Sequence, residues 1–116
     1  MSAAYVDLAL ELSPLTEPDY TPEATLAERF QAFHSQNPHV ADALEHLAAQ
    51  WFAAGNKRAS VDALFHRLRW ESGITTQGDP YVLNSSYTAF YARLLIARRP
   101  EWASAFALRK SVADST

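Results

Sequence analysis

Cysteine is absent from the 116 residues, which excludes disulfides, thiolate metal sites and a cysteine nucleophile and suits a reducing cytoplasm. Glycine is scarce, at three residues, and none belongs to a phosphate-cradling loop. Walker, GxSxG and HExxH patterns are missing as well. No apolar run approaches the roughly 20 residues that a membrane-crossing helix needs, so no membrane is expected. The opening MSAAYVDLALEL carries Asp7 and Glu11 and no basic cluster, so no signal peptide is expected and the protein reads as cytoplasmic. Catalysis is not expected, and neither is a cofactor or a metal.

What is present suits one globular domain. A hydrophobic fraction of 48% with 20% charged residues can build a core, and a chain of this size buries about two-thirds of its unfolded surface. The net charge of −3 hides an asymmetry. Residues 1–28 hold six acids and no base, whereas residues 55–110 hold nine bases against four acids, a balance of +5. The basic half keeps nucleic acid in play, and the low pI of about 5.7 argues against strong non-specific binding.

Residues 1–21 read as an acidic, proline-rich arm. Val6, Leu8, Leu10 and Leu12 alternate with polar positions, and Pro14, Pro18 and Pro22 follow. The arm is expected to be solvated. A helical domain is expected over 22–110, with a frayed tail over 111–116. Thr21-Pro22-Glu23 reads as the first helix start, with Leu26, Phe30 and Phe33 forming one stripe. Asn37 and Pro38 open a second helix whose stripe is Val40, Leu44, Leu47 and Trp51, and Gly55 stops it in the left-handed region. Ser60 caps a third helix with Val61, Leu64, Phe65 and Leu68 inward. Trp70 lies off that stripe and should be covered by the hairpin or helix after it.

The spacing of residues 72–83 predicts a hairpin, with Ile74/Thr76 and Tyr81/Leu83 alternating about a tip at Gln77–Pro80. A fourth helix carries Tyr87, Phe90, Tyr91, Leu94, Leu95 and Ile96, and a fifth opens at Pro100 with Trp102 and Phe106 one turn apart. The fold expected is mainly α: a winged-helix-like domain of about five helices with one small β-hairpin.

Taken together, Asn37-Pro38, Gly55, Lys57, Leu64, Arg67-Leu68-Arg69-Trp70, Tyr81, Asn84, Tyr87, Tyr91-Ala92-Arg93, Pro100, Phe106 and Arg109 make a pattern over residues 30–110. It resembles a family of small phage- and prophage-encoded proteins, most of them without an assigned function. The resemblance implies a host bacterial cytoplasm as the setting and leaves the activity open.

His39, Asp42 and His46 fall on one helical face, but the two histidines would stand about 10 Å apart along the axis, too far to share an ion. They read as solvent-facing. His66 lacks a nucleophile or carboxylate beside it and reads as no general base. Binding remains. One reading is double-stranded DNA, through a helix-turn-helix and wing with a regulatory role. Lys57, Arg58, Arg67, Arg69 and Arg93 would then meet phosphates, while Ala63 and His66 would face base edges. The alternative is a protein–protein module that binds or inhibits a host or phage protein through aromatic and arginine anchors. The sequence leaves the oligomeric state open.

Overall fold

The computed structural model describes residues 12–75 and 80–106. Among them four helices form the body: α1 (Leu26–Gln36), α2 (Pro38–Ala53), α3 (Val61–Thr75) and α4 (Thr88–Arg98). Short 3-10 turns at Ser85–Tyr87 and Pro100–Trp102 flank α4. No strand occurs among the described residues, where a single bridge joins Ala59 to Phe106, so the class is all-α. None of these helices is long and apolar enough to cross a membrane.

Helix α1 starts later than Pro22. Thr25 Oγ1 accepts from the Glu28 N–H at 3.1 Å, and Glu28 Oε1 accepts from the Thr25 N–H at 2.8 Å. This reciprocal box satisfies two orphan donors at once and outcompetes the single cap available at Thr21. Thr21 and Pro22 instead form a turn closed by the Ala24 N–H on the Thr21 carbonyl.

Asn37 sits where α1 gives way to α2, and its side chain makes no cap bond there. It is fully buried. Its Nδ2 donates to the Thr16 carbonyl at 2.8 Å and the Phe33 carbonyl at 3.0 Å, and its Oδ1 accepts from the Thr16 N–H at 2.7 Å. One side chain thereby pins the segment before α1 to the helix junction. Leu12 and Leu15 pack on the core, Pro18 is buried, and the Tyr81 hydroxyl donates to the Ser13 carbonyl. Burial pushes that phenol up to about 12, so it stays a donor across the physiological range. From Leu12 onward, therefore, the expected solvated arm is a strap on the body. Residues 1–11 lie outside the described residues.

Gly55 has φ 104°, the conformation that ends α2. Ser60 Oγ accepts from the Ala63 N–H at 3.3 Å and opens α3 as expected. The predicted hairpin is corrected: the residues meant for its first arm continue α3 as far as Thr75. Ser72 carries the helix through, because its buried hydroxyl donates to the Arg69 carbonyl and accepts from the Tyr81 N–H, both at 2.9 Å. Thr76 of the expected first arm and residues 77–79 of the expected tip lie outside the described residues, and 80–84 run without a β partner among the described residues. The winged-helix expectation loses its wing with this change.

The predicted fifth helix is also corrected. After the Pro100–Trp102 turn the chain bends, and the Ala105 carbonyl accepts from the Ala59 N–H at 2.9 Å, which helical continuation would forbid. Trp102 and Phe106 are both buried, but they pack on Phe52 from a turn and not from a helix.

The core lies where α1 and α4 meet over α2 and α3. Phe30 stacks on Phe90 at 5.0 Å and meets Tyr91 edge-on at 4.9 Å, and Phe65 reaches Tyr91 from α3. Beside it, Arg98 at the end of α4 and Arg99 just after it clamp Glu45 of α2 at 3.0 and 2.8 Å, and Arg98 also reaches Asp42 at 3.0 Å. Burial alone would raise the Glu45 carboxyl, but hydrogen bonds from the two guanidiniums outweigh it and hold the group below its usual range. His34, stacked on Phe30, is pushed the other way: burial and the nearby Arg98 charge lower its pKa, against a smaller pull from Asp42. Of the histidine face expected to be solvated, only Asp42 is exposed; His39 and His46 are half-buried, and His39 meets Tyr81 edge-on.

Candidate functional site

Two aromatics expected in the core or under cover are outside. Trp51 is 47% exposed and Trp70 is 68% exposed. Near the end of α2 the buried stripe drifts from Leu44 and Leu47 to Ala48 and Phe52, because Phe52 meets Trp102 and Phe106. Trp51 is left on the side facing the turn. It is held there: its Nε1–H donates to the Arg58 carbonyl at 2.6 Å, and Asn56 Nδ2 donates to the Trp51 carbonyl at 3.1 Å. An indole already held by such a bond loses little side-chain freedom when something docks against it.

Trp51 walls a groove of about 640 Å³ between the end of α2, the Gly55 turn and the start of α3. Leu47, Leu64 and Ala63 supply further apolar wall, and among the described residues the charged ones lining it are Arg58 and Arg67. The groove continues along α3. Ala63, Arg67, Trp70 and Ile74 follow at i, i+4, i+7 and i+11, which sets them on one side of the helix. All four are exposed, Ile74 by 62%. An apolar depression thus opens into a strip of aromatic and aliphatic surface punctuated by a guanidinium.

The residues expected at a nucleic-acid interface divide accordingly. Arg58, Ala63 and Arg67 line the groove, and Lys57 is exposed in the turn beside it. Arg67 lies 3.0 Å from Glu71, which neutralises part of its field. His66 and Arg69 are exposed on the opposite flank of α3, together with Asp62. A carboxylate does accompany His66: Asp62 Oδ2 stands 3.5 Å from Nε2, one turn earlier, at a spacing legible in the sequence. Both side chains are largely exposed, which makes a solvated pair. Arg93 is half-buried on α4 and does not line the groove. The basic residues therefore form no single face across α3.

Sequence reasoning missed Trp51 and Asn56 as site residues. The stripe gave no signal for this, since Phe90 and Tyr91 are adjacent on a helix in the same way and both are buried. Among the described residues no three His, Asp or Glu side chains converge on a point that a metal ion could occupy. Compared with known proteins, the chain matches no family model, no curated protein and no solved structure.

Proposed function

We propose that the chain is a small protein-binding module whose α2–α3 corner receives an amphipathic segment of another protein. The observation that carries this reading is the exposed apolar groove at Trp51, continued by Trp70 and Ile74 along one side of α3. Monomeric surfaces seldom leave such contiguous apolar area open unless a partner covers it. Tryptophan and arginine together are the residue types that dominate binding energy at protein interfaces. Among the described residues the lining carries two arginines and no acid, so the partner segment combines apolar anchors with flanking carboxylates.

Duplex DNA is the competing reading. Of the winged-helix expectation it keeps the helix-turn-helix corner, with Lys57 and Arg58 in the turn and His66 and Arg69 outward on α3. Against it stand two large apolar side chains on the presented side, carboxylates beside His66 and Arg67, and the lack of a wing among the described residues. The resemblance to phage-encoded proteins supports a host or phage protein in the bacterial cytoplasm as the partner.

The test is a peptide-display selection against the full chain, run in parallel with a duplex-DNA titration from about 50 to 200 mM salt. Enriched peptides should share an apolar core flanked by Asp or Glu, and Ala63→Asp should abolish their binding without unfolding the protein. DNA binding at low salt, weakened by Lys57→Ala, Arg58→Ala and Arg69→Ala alike, would install the DNA reading instead.

A further inference from the structure

The exposed strip along α3 is self-complementary. Ala63, Arg67, Trp70 and Ile74 are separated by four, three and four residues, an order that reads the same from either end. A second α3 laid antiparallel across the first, about a two-fold axis midway between positions 68 and 69, therefore maps the strip onto itself. In that register Ala63 meets Ile74 of the second copy, and Arg67 meets Trp70 of the second copy, each pair occurring twice. A small side chain faces a branched aliphatic one, and a guanidinium faces an indole, the best aromatic partner for a cation. At 1.5 Å of rise per residue the two Trp70 positions lie about 2 Å to either side of the axis, near enough for their rings to pack on each other. A parallel arrangement would instead set Arg67 against Arg67, which like charge opposes.

The surface supplies what this pairing needs. Trp70 is 68% exposed, Ile74 is 62% exposed, and the Arg67 side chain is half-exposed. Each Arg67 already holds Glu71 at 3.0 Å, so two guanidiniums can approach the axis without bare repulsion. The end of α3 also has the chemistry that the groove calls for, since Trp70 and Ile74 are apolar anchors and Glu71 is a carboxylate between them. The register carries Ile74 of the second copy to the Ala63 edge of the groove that Trp51 walls. Two strips about 16 Å long make a small contact, near or below the low end of the roughly 1,200–2,000 Å² of stable complexes, so the pair should dissociate on dilution.

We infer that the chain forms a two-fold dimer through antiparallel α3 helices, with Trp70 at the axis and Ile74 of each copy over the groove of the other. This rests on reading the α2–α3 corner as a protein-docking site and names a second copy of the chain as its occupant. A segment of a different protein then competes with dimerisation, and its apparent affinity falls by the fraction of corners already paired.

In sedimentation equilibrium the full chain should pass reversibly from a 12.9 kDa species toward twice that mass between about 1 μM and 1 mM. Trp70→Ala and Ile74→Asp should each raise the dissociation constant roughly tenfold or more, with the melting temperature of the dilute protein unchanged. The register is read by crosslinking, because the chain has no cysteine of its own. When full-length Ala63→Cys and Ile74→Cys proteins are mixed and oxidised, the mixed disulfide dimer should exceed both homodimers well beyond chance pairing. A chain that stays monomeric throughout, a dimer indifferent to both substitutions, or a preference for the homodimers would overturn the inference. Display-selected peptides separate it from the reading on which it rests. If they shift the Trp51 indole N–H signal of a chain that stays monomeric, the groove reading stands and the dimer falls. If the chain is monomeric and no peptide reaches Trp51, both fall.

Discussion

Phe90 and Trp51 are large aromatics on helical apolar stripes, yet one is 7% exposed and the other 47%. Phe90 is roofed by Phe30, a ring from a different helix at 5.0 Å. Trp51 faces a turn of small and polar residues, and its indole N–H donates to the carbonyl of Arg58. A stripe selects which residues lean inward, but a neighbouring element decides whether the core extends over them. Where α1 and α4 close, aromatic surface becomes stability; at the α2–α3 corner it remains exposed.

The contrast is easiest to break at these two rings themselves. Phe90→Ala should cost about 3–5 kcal/mol in urea unfolding, through lost transfer energy and an unfilled cavity. Trp51→Ala should cost about 1 kcal/mol, chiefly the hydrogen bond to Arg58. Comparable losses for both would mean that the corner is as closed as the aromatic end.

Asn37→Ala comes next. It should cost about 2–3 kcal/mol, since it strands the Thr16 backbone groups that the carboxamide satisfies. It should also speed amide exchange in the strap ahead of α1, which a purely local defect would leave unchanged. Gly55→Val should cost roughly 1–3 kcal/mol from the backbone alone, because φ 104° disfavours a β-branched residue while nothing lies within 4 Å of an added Cβ. Unchanged thermal stability would remove Gly55 as the hinge of the groove.

Acid should weaken the aromatic end before the corner. His34 has its folded pKa below the ordinary value of 6.5, so the unfolded chain takes up protons first as pH falls through 6.5. Its contribution is fully present above that pH and declines below it. Glu45, also held low, loses its contribution as pH falls below 4.5. Melting temperature should drop between pH 7.5 and 5.5, and less so in His34→Gln. A rise would show that the imidazolium is the form the fold prefers. The smallest effect on stability belongs to Ala63→Asp, within about 0.5 kcal/mol, although it should remove groove binding.

Much of the helical plan was legible. Asn37-Pro38, Gly55 and Ser60 mark boundaries that the helices respect, and the stripes through Phe30, Leu44, Leu68, Tyr91 and Leu95 are buried. These features arise from rules acting within one or two turns: proline at a first position, a glycine beyond a last one, apolar residues recurring every 3.6. The acidic arm and the basic half were equally plain from composition.

What failed was decided at long range. Residues 72–75 looked like strand until the Tyr81 N–H found the Ser72 hydroxyl and the helix kept its hold. Phe106 looked helical until the Ala105 carbonyl was claimed by Ala59 across the molecule. Asn37 looked like a simple cap, yet it joins Thr16, 21 residues away, because a buried carboxamide must satisfy all its donors and acceptors somewhere. The groove belongs to the same class. Leu47, Trp51, Ala63 and Leu64 are ordinary helix residues in the sequence; they became a cleft only when packing drew Phe52 inward and the Gly55 turn set α3 against α2. Local chemistry determined most helix boundaries, the end of α3 excepted. Tertiary packing alone decided which apolar side chains were left without a roof, since that depends on neighbours that no periodicity encodes.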